Sequence, residues 1–365
     1  MAHGITYLDR YGEVRKNGQR AWHGLGDEIE EGLSAEDGFN EIGLGRPTIL
    51  APVFAQVPKV DLEGRVLTND EGQEETQFIK VEGIDEMAKS PLVHMYRPMP
   101  DNLTYQHLGM VTEGYRPFEN MDLARFADAL AGADAAVTIE TGGTLYGGRR
   151  VFCLVKLPEA IRVSSNDVLD QYVLVSNGHG GFAAFACYPT SVRVVCANTL
   201  RWSERDISRG LKFRHTGDWE EKVTQARVAL GIAFKETELF EEKVMHLRKT
   251  KMSVLEQKEW MGRYYDQIFG KVDKSKLDEA SFEKLTKKRQ DVLEQWGALL
   301  DHETNRIDDM QGTAWQTLNA VTWWQDHGRG RFMDIDKSPA RVASNVFGVS
   351  SKQKRVAFNS LLTTV

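Results

Sequence analysis

The sequence predicts an α+β fold, an antiparallel sheet with packed helices followed by a long-helix hairpin or bundle. Three observations predict it. Between residues 135 and 197, short runs rich in branched and aromatic residues are separated by Gly, Pro, Asn and Asp, with gaps too short for crossover helices. A segment of helical period, 120–132, precedes those runs instead of alternating with them. From Trp219 onward the period changes: Trp219, Val223, Ala226, Leu230, Ala233, Thr237, Phe240, Val244 and Leu247 step by four and three, the stripe of a long amphipathic helix that needs a partner.

Taken in order, Ser34 is placed to cap a short helix whose first turn carries Glu36 and Asp37. A strand is expected over 47–57, and 59–90 reads as an exposed acidic flap. In the segment 120–132, Asn120 is the expected N-cap, with Leu123, Phe126, Ala127 and Leu130 on one face. Strands are expected over 135–141, 149–157, 171–177, 182–188 and 191–197. Partners for the long helix are 253–269, 278 to about 304, and 308–326, the last with Trp315, Leu318, Val321 and Thr322 at helical spacing. The expected units are an α+β domain over 1–216, a helical region over 217–328, and a basic tail over 329–365 that is ordered only in part.

The composition, 41% hydrophobic and 27% charged, is that of a globular protein. No window reaches the roughly 18 apolar residues of a membrane helix, and the start has no apolar signal core, so no membrane and a cytoplasmic setting are expected. Cys153, Cys187 and Cys196 have apolar neighbours and fit neither a zinc ribbon nor a redox pair, so they read as reduced core residues. The net charge of −7 is uneven: residues 1–139 carry −12, 140–216 carry +4, 217–328 carry −4 and 329–365 carry +5.

No arrangement of chemical groups marks a catalytic centre. The glycine-rich run Thr141 to Arg150 lacks both the Gly-Lys-Ser/Thr ending of a phosphate loop and the spacing of a dinucleotide fold, and it joins two strands, so it reads as a hairpin turn. His179 in Asn-Gly-His-Gly-Gly reads as a turn histidine and His302 as a helix-surface one. The expectation is a non-enzyme with no cofactor and no metal.

Single-stranded nucleic acid is held by basic grooves with aromatic platforms, and the chain from Arg193 to Arg214 interleaves arginine and lysine with Trp202 and Phe213. The residues expected to make backbone and stacking contacts are Arg149, Arg150, Arg193, Arg201, Trp202, Arg205, Lys212 and Arg214. Two other readings stand beside this one. A solvated basic face would simply balance the acidic first third, and a protein partner could dock on the helices of 218–328.

Several segments, taken together, carry a resemblance: Ala21 to Gly26 (AWHGLG), Gly114 to Asn120 (GYRPFEN), the Thr141 to Arg150 run, Pro189 to Leu200 (PTSVRVVCANTL), His215 to Trp219 (HTGDW), and Thr313 to Thr322 followed by Asp326-His327. In this order they resemble the phage/plasmid-like proteins of unknown function, a family that includes the YfjQ and YafZ proteins of prophage regions. The resemblance covers roughly residues 18–328. It implies a mobile-element setting in the bacterial cytoplasm and brings no established activity with it. The family usually carries Gln where this chain has Glu119. At the level of fold alone, a helix with antiparallel hairpins is similar to phage single-strand annealing recombinases of the Redβ and RecT type. That similarity implies a protein that anneals single-stranded DNA without nucleotide hydrolysis, as a homo-oligomeric ring or filament.

Overall fold

The computed structural model describes residues 11–14, 27–29, 33–81, 84–85, 90–99, 103–133, 137–193, 198–200, 219–328 and 344–364. The Trp22-His23 turn, Cys196 and residues 329–343 of the tail lie outside them. The architecture is α+β, as the pattern of elements predicts.

A large sheet forms the centre. Its strands are β1 (Tyr11–Val14), β2 (Asp27–Ile29), β9 (Thr138–Leu145), β10 (Arg150–Lys156), β11 (Ile161–Ser164), β12 (Asp167–Gly178), β13 (Ala186–Arg193) and β14 (Asn198–Leu200). They lie in the order β14-β13-β12-β10-β9-β1-β2, with β11 added on β12. Every pairing is antiparallel except β1 with β2. The two strands expected over 182–188 and 191–197 are one, β13, which begins at Ala186 and runs through Pro189. Proline has no N–H to give a ladder, and β14 pairs only with Ser191 to Arg193, so Pro189 sits where β13 has a neighbour on one side alone.

Helix α1 (Ala35–Glu41) starts at the Ser34 cap, whose side chain accepts from the Asp37 amide. Helix α2 (Asn120–Ala133) buries Leu123, Ala124, Phe126, Ala127 and Leu130. Both lie on the sheet face formed by Val151, Cys153, Val155, Val173, Val175 and Cys187. Gly142 is needed there, because a Cβ at that position would come within 2.7 Å of the Phe39 ring. Helix α3 (Trp219–Lys249) joins two cores. Ala229, Leu230 and Ala233 belong to the sheet core, and Phe240, Val244 and Leu247 to a helical one.

The helical core adds α4 (Val254–Phe269), opened by a Ser253/Glu256 capping box, and α5 (Glu279–Leu300), capped by Asp278. Helix α6 (Ala314–Trp323), buried along its whole length, runs into a π-helical turn over Trp324–Gly328. The end of the basic tail is a further helix, α7 (Val349–Thr364), which buries Ala357, Phe358 and Leu361 against this core. Within 344–364, the described part of that tail, apolar residues at helical spacing give the helix a face to bury.

Two smaller sheets precede α2. The expected strand over 47–57 is divided at Pro52 into β3 (Ile49–Ala51) and β4 (Val53–Pro58). Strand β4 pairs with β5 (Thr76–Val81), and bridges at Val60/Val66 and Thr68/Glu74 continue this ribbon through the acidic segment. Strand β3 pairs with β7 (Ser90–Pro98), which also pairs with β6 (Ile84–Asp85) and β8 (Tyr105–Thr112).

Candidate nucleic-acid interface

The glycine-rich run is a hairpin, with β9 extending to Leu145 and β10 starting at Arg150. Between them, Tyr146, Gly147 and Gly148 hold φ values of 57°, 66° and 74°. Left-handed backbone at successive positions is what the two glycines permit. The turn places Arg149 and Arg150 at one end of the sheet, where aromatic rings meet them. The Arg149 guanidinium lies 4.6 Å from the centre of the Phe182 ring, and that of Arg150 lies 4.3 Å from Phe347 and 5.7 Å from Phe182. Tyr146 packs on Phe182 at 5.2 Å. Two guanidinia and three rings make a platform of the kind that stacks bases and meets phosphate oxygens.

Beneath this platform is a buried polar floor. His179 donates its amide to the Arg149 carbonyl at 2.8 Å, which ties the two turns together. Its ring is fully buried, with Nε2 3.0 Å from Arg97 Nη2 and 2.8 Å from Asn120 Oδ1. Arg97 also donates to Asn120 Oδ1 at 3.1 Å and to the Arg46 carbonyl at 3.3 Å. Asn120 Nδ2 donates to the Leu44 carbonyl. The cross-strand neighbour of Arg97 is Gln106, whose amide sits where a Cβ on Gly148 would go. Burial lowers the Arg97 pKa to about 10, opposed by the charge of Glu119. Burial first, and then the Arg97 charge, hold His179 well below its ordinary value.

This floor corrects one expectation, the Asn120 cap, and adds the burial of the ring to the turn expected at His179. His179 stands at a turn, yet its ring is interior, because β7 brings Arg97 against it. Asn120 does not cap α2, because its side-chain oxygen is engaged by Arg97 and His179. The neighbouring Glu119 accepts from both the amide and the hydroxyl of Thr48. His302 is not a helix-surface residue either: it precedes a 3-10 turn, accepts from the Thr304 amide and packs its ring on Trp323 at 4.7 Å.

Of the residues expected to contact nucleic acid, Arg149 and Arg150 are brought together. Arg193 ends β13, opposite Leu169, whereas Arg150 lies opposite Gly178. These two positions are at opposite ends of β12, about 30 Å apart at 3.3 Å per residue. Arg201, Trp202, Arg205, Lys212 and Arg214 lie outside the described residues, as does the side chain of Arg193. Sequence reasoning missed Tyr146, Phe182 and Phe347. Only their aromatic character signalled them, since Phe347 comes from a part of the chain far from the other two. Cys153 and Cys187 are buried and form no disulfide, and burial pushes the Cys153 thiol far up, away from the thiolate.

A second feature lies between α4 and α5, a cavity of about 800 Å³ lined in part by Val254, Met261, Leu293, Gly297 and Gln316. Among the described residues no helix is long and apolar enough to cross a membrane.

No curated protein and no solved structure matches the chain. A domain of unknown function, DUF932, matches residues 107–356, from the third residue of β8 into α7. The match takes in the hairpin of Arg149 and Arg150, His179, Phe182 and Phe347, and it leaves out β7 with Arg97. Since it covers well over half of the sequence, the chain belongs to the DUF932 family.

Proposed function

We propose that this protein binds single-stranded DNA and promotes annealing in a mobile-element setting, as a homo-oligomer and without nucleotide hydrolysis. The observation that carries the reading is the packing of the half-exposed Arg149 and Arg150 on Phe182 and Phe347 at one end of the central sheet. Guanidinia packed against rings lose little further freedom on meeting a phosphate, and aromatic rings accept any base, which suits binding without sequence preference. The buried contacts of His179 and Arg97 fix the turn that presents them. A strand reaching from Arg150 to Arg193 would follow the length of β12, and the basic stretch of Arg201 to Arg214 continues directly from β14. The acidic net charge of −7 leaves room for this, because binding reads the local field and not the total.

The test is binding of purified protein to labelled single-stranded and double-stranded DNA across a salt series, with particle size followed in parallel. Single-strand binding that weakens steeply with salt and is accompanied by large particles supports the reading. Absent binding, or binding indifferent to salt, contradicts it.

A second reading is favoured by the cavity between α4 and α5, whose rim exposes Val254 at 62% and is joined by Leu255 at 66%. A protein partner presenting an apolar segment would fit there, with the protein acting as an anti-defence or assembly factor. Recovery of a stoichiometric protein from infected cells, lost with Leu293→Glu, would support it, and recovery of none would set it aside.

A further inference from the structure

Strands β7 and β8 pair His94 with Met110 and Tyr96 with His107, with a slip in register between Met95 and Tyr96. In a regular ladder Leu108 would stand opposite Tyr96. The slip replaces it with His107 and so turns that imidazole to the outward face shared by His94 and Tyr96. Gly109, with φ 145°, accommodates the irregularity and approaches Gly180 too closely for a side chain.

The outcome is a converging pair: His94 Nδ1 and His107 Nε2 are 2.8 Å apart on an exposed surface. The ring of Tyr96 stacks on His94 at 5.7 Å and lies 5.3 Å from His107, which restrains both imidazoles. Solvent-facing imidazoles ordinarily bond to water, and two that face each other can share only one proton. Two ligands on one metal at right angles, each at about 2.0 Å, are about 2.8 Å apart, whereas tetrahedral ligands at that bond length are about 3.3 Å apart. The observed 2.8 Å is the length of an N–H···N hydrogen bond between the two rings, and it is also the spacing of two imidazoles at neighbouring positions on a tetragonal ion. Among the described residues, no group of three or more His, Cys, Asp or Glu is placed to hold a metal.

We propose that His94 and His107 form a two-imidazole chelate for a tetragonal divalent cation of the Cu²⁺ or Ni²⁺ class, bound through Nδ1 of His94 and Nε2 of His107 with water in the remaining positions. The site does not depend on the proposed function.

The test uses the full chain and Cu²⁺, followed by electron paramagnetic resonance and calorimetry. The expected result is one equivalent of Cu²⁺ coordinated by two nitrogens, bound at least about tenfold more tightly than by the His94→Ala/His107→Ala double variant. Each single variant should retain one-nitrogen coordination at this site. Thermal unfolding without metal checks that the variants keep the fold, as expected for side chains on an outward face. Co²⁺ serves as a second probe: weak visible absorption is expected of a tetragonal site. Equal Cu²⁺ affinity in the double variant would overturn the proposal, as would an intense tetrahedral Co²⁺ band that the double variant abolishes.

Discussion

Nη2 of Arg97 lies 3.0 Å from Nε2 of His179 in the protein interior. A guanidinium can only donate and Asn120 Oδ1, 2.8 Å from the same Nε2, can only accept, so that nitrogen serves one of the two, and a second ring proton would place a cation beside Arg97. The folded protein therefore holds His179 neutral, with its pKa well below 6.5, through burial and the adjacent charge. The unfolded chain takes up a proton near pH 6.5 and the folded one does not, so this residue's share of stability is lost as pH falls below 6.5. Between pH 7.5 and 5.5 the loss should be about 1.4 kcal/mol, and it should vanish in His179→Gln. Urea unfolding of both proteins at the two pH values measures the difference; equal losses would show that His179 titrates normally.

Glu119 uses its carboxylate as an acceptor for the Thr48 amide and hydroxyl. An amide oxygen accepts equally well, so a Gln at this position is compatible with the site. Glu119→Gln should change stability by less than about 1 kcal/mol, while Glu119→Ala, which leaves the Thr48 donors without this acceptor, should cost about 1–3 kcal/mol. Thermal unfolding of the two variants separates these outcomes.

Trp315 joins the helical core to the sheet by donating its indole N–H to Asp167 Oδ2 at 2.8 Å, with both side chains buried. Trp315→Phe keeps most of the packing and removes the donor, at an expected cost of about 1.5–3 kcal/mol. A double-mutant cycle with Asp167→Asn should show coupling above about 0.5 kcal/mol. Additive effects would mean that the bond contributes nothing beyond its parts.

Lys354 and Asp326 form a buried ion pair at 2.5 Å, linking α7 to the π-helical turn after α6. Lys354→Met removes the cation from beside an interior carboxylate and should destabilise by about 3–5 kcal/mol. Lys354→Met/Asp326→Leu should recover a large part of that loss. Failure of the double variant to recover would show that the cost comes from packing and not from charge.

How far the fold can be read from the sequence depends on whether a rule is local. Ser34 before Asp37, Ser253 before Glu256 and the four-and-three stripe of α3 act within one or two turns, and these helices form as expected. Strands β7 and β8 are different. Their inward face includes Arg97 and Gln106, two residues whose burial depends on His179 and Gly148, distant in the chain. Helix α7 carries Lys352, Lys354 and Arg355 and so looks like a solvated tail, until Asp326 is seen to neutralise Lys354. At the candidate site, the Arg149-Arg150 pair was visible in the sequence. Its aromatic half was not, because Phe182 and Phe347 meet the arginines only after the sheet has formed and the chain's end has returned to it.

The arginine platform is the central claim, and the salt dependence of single-stranded DNA binding tests it most directly when wild type is compared with Arg149→Ala/Arg150→Ala. If both arginines meet phosphates, the double variant should bind more weakly, and the slope of log affinity against log salt should fall in magnitude by about 1.4, near 0.7 for each lost contact. An unchanged affinity and slope, in a variant that retains its thermal stability, would contradict the account and move the interface away from this end of the sheet.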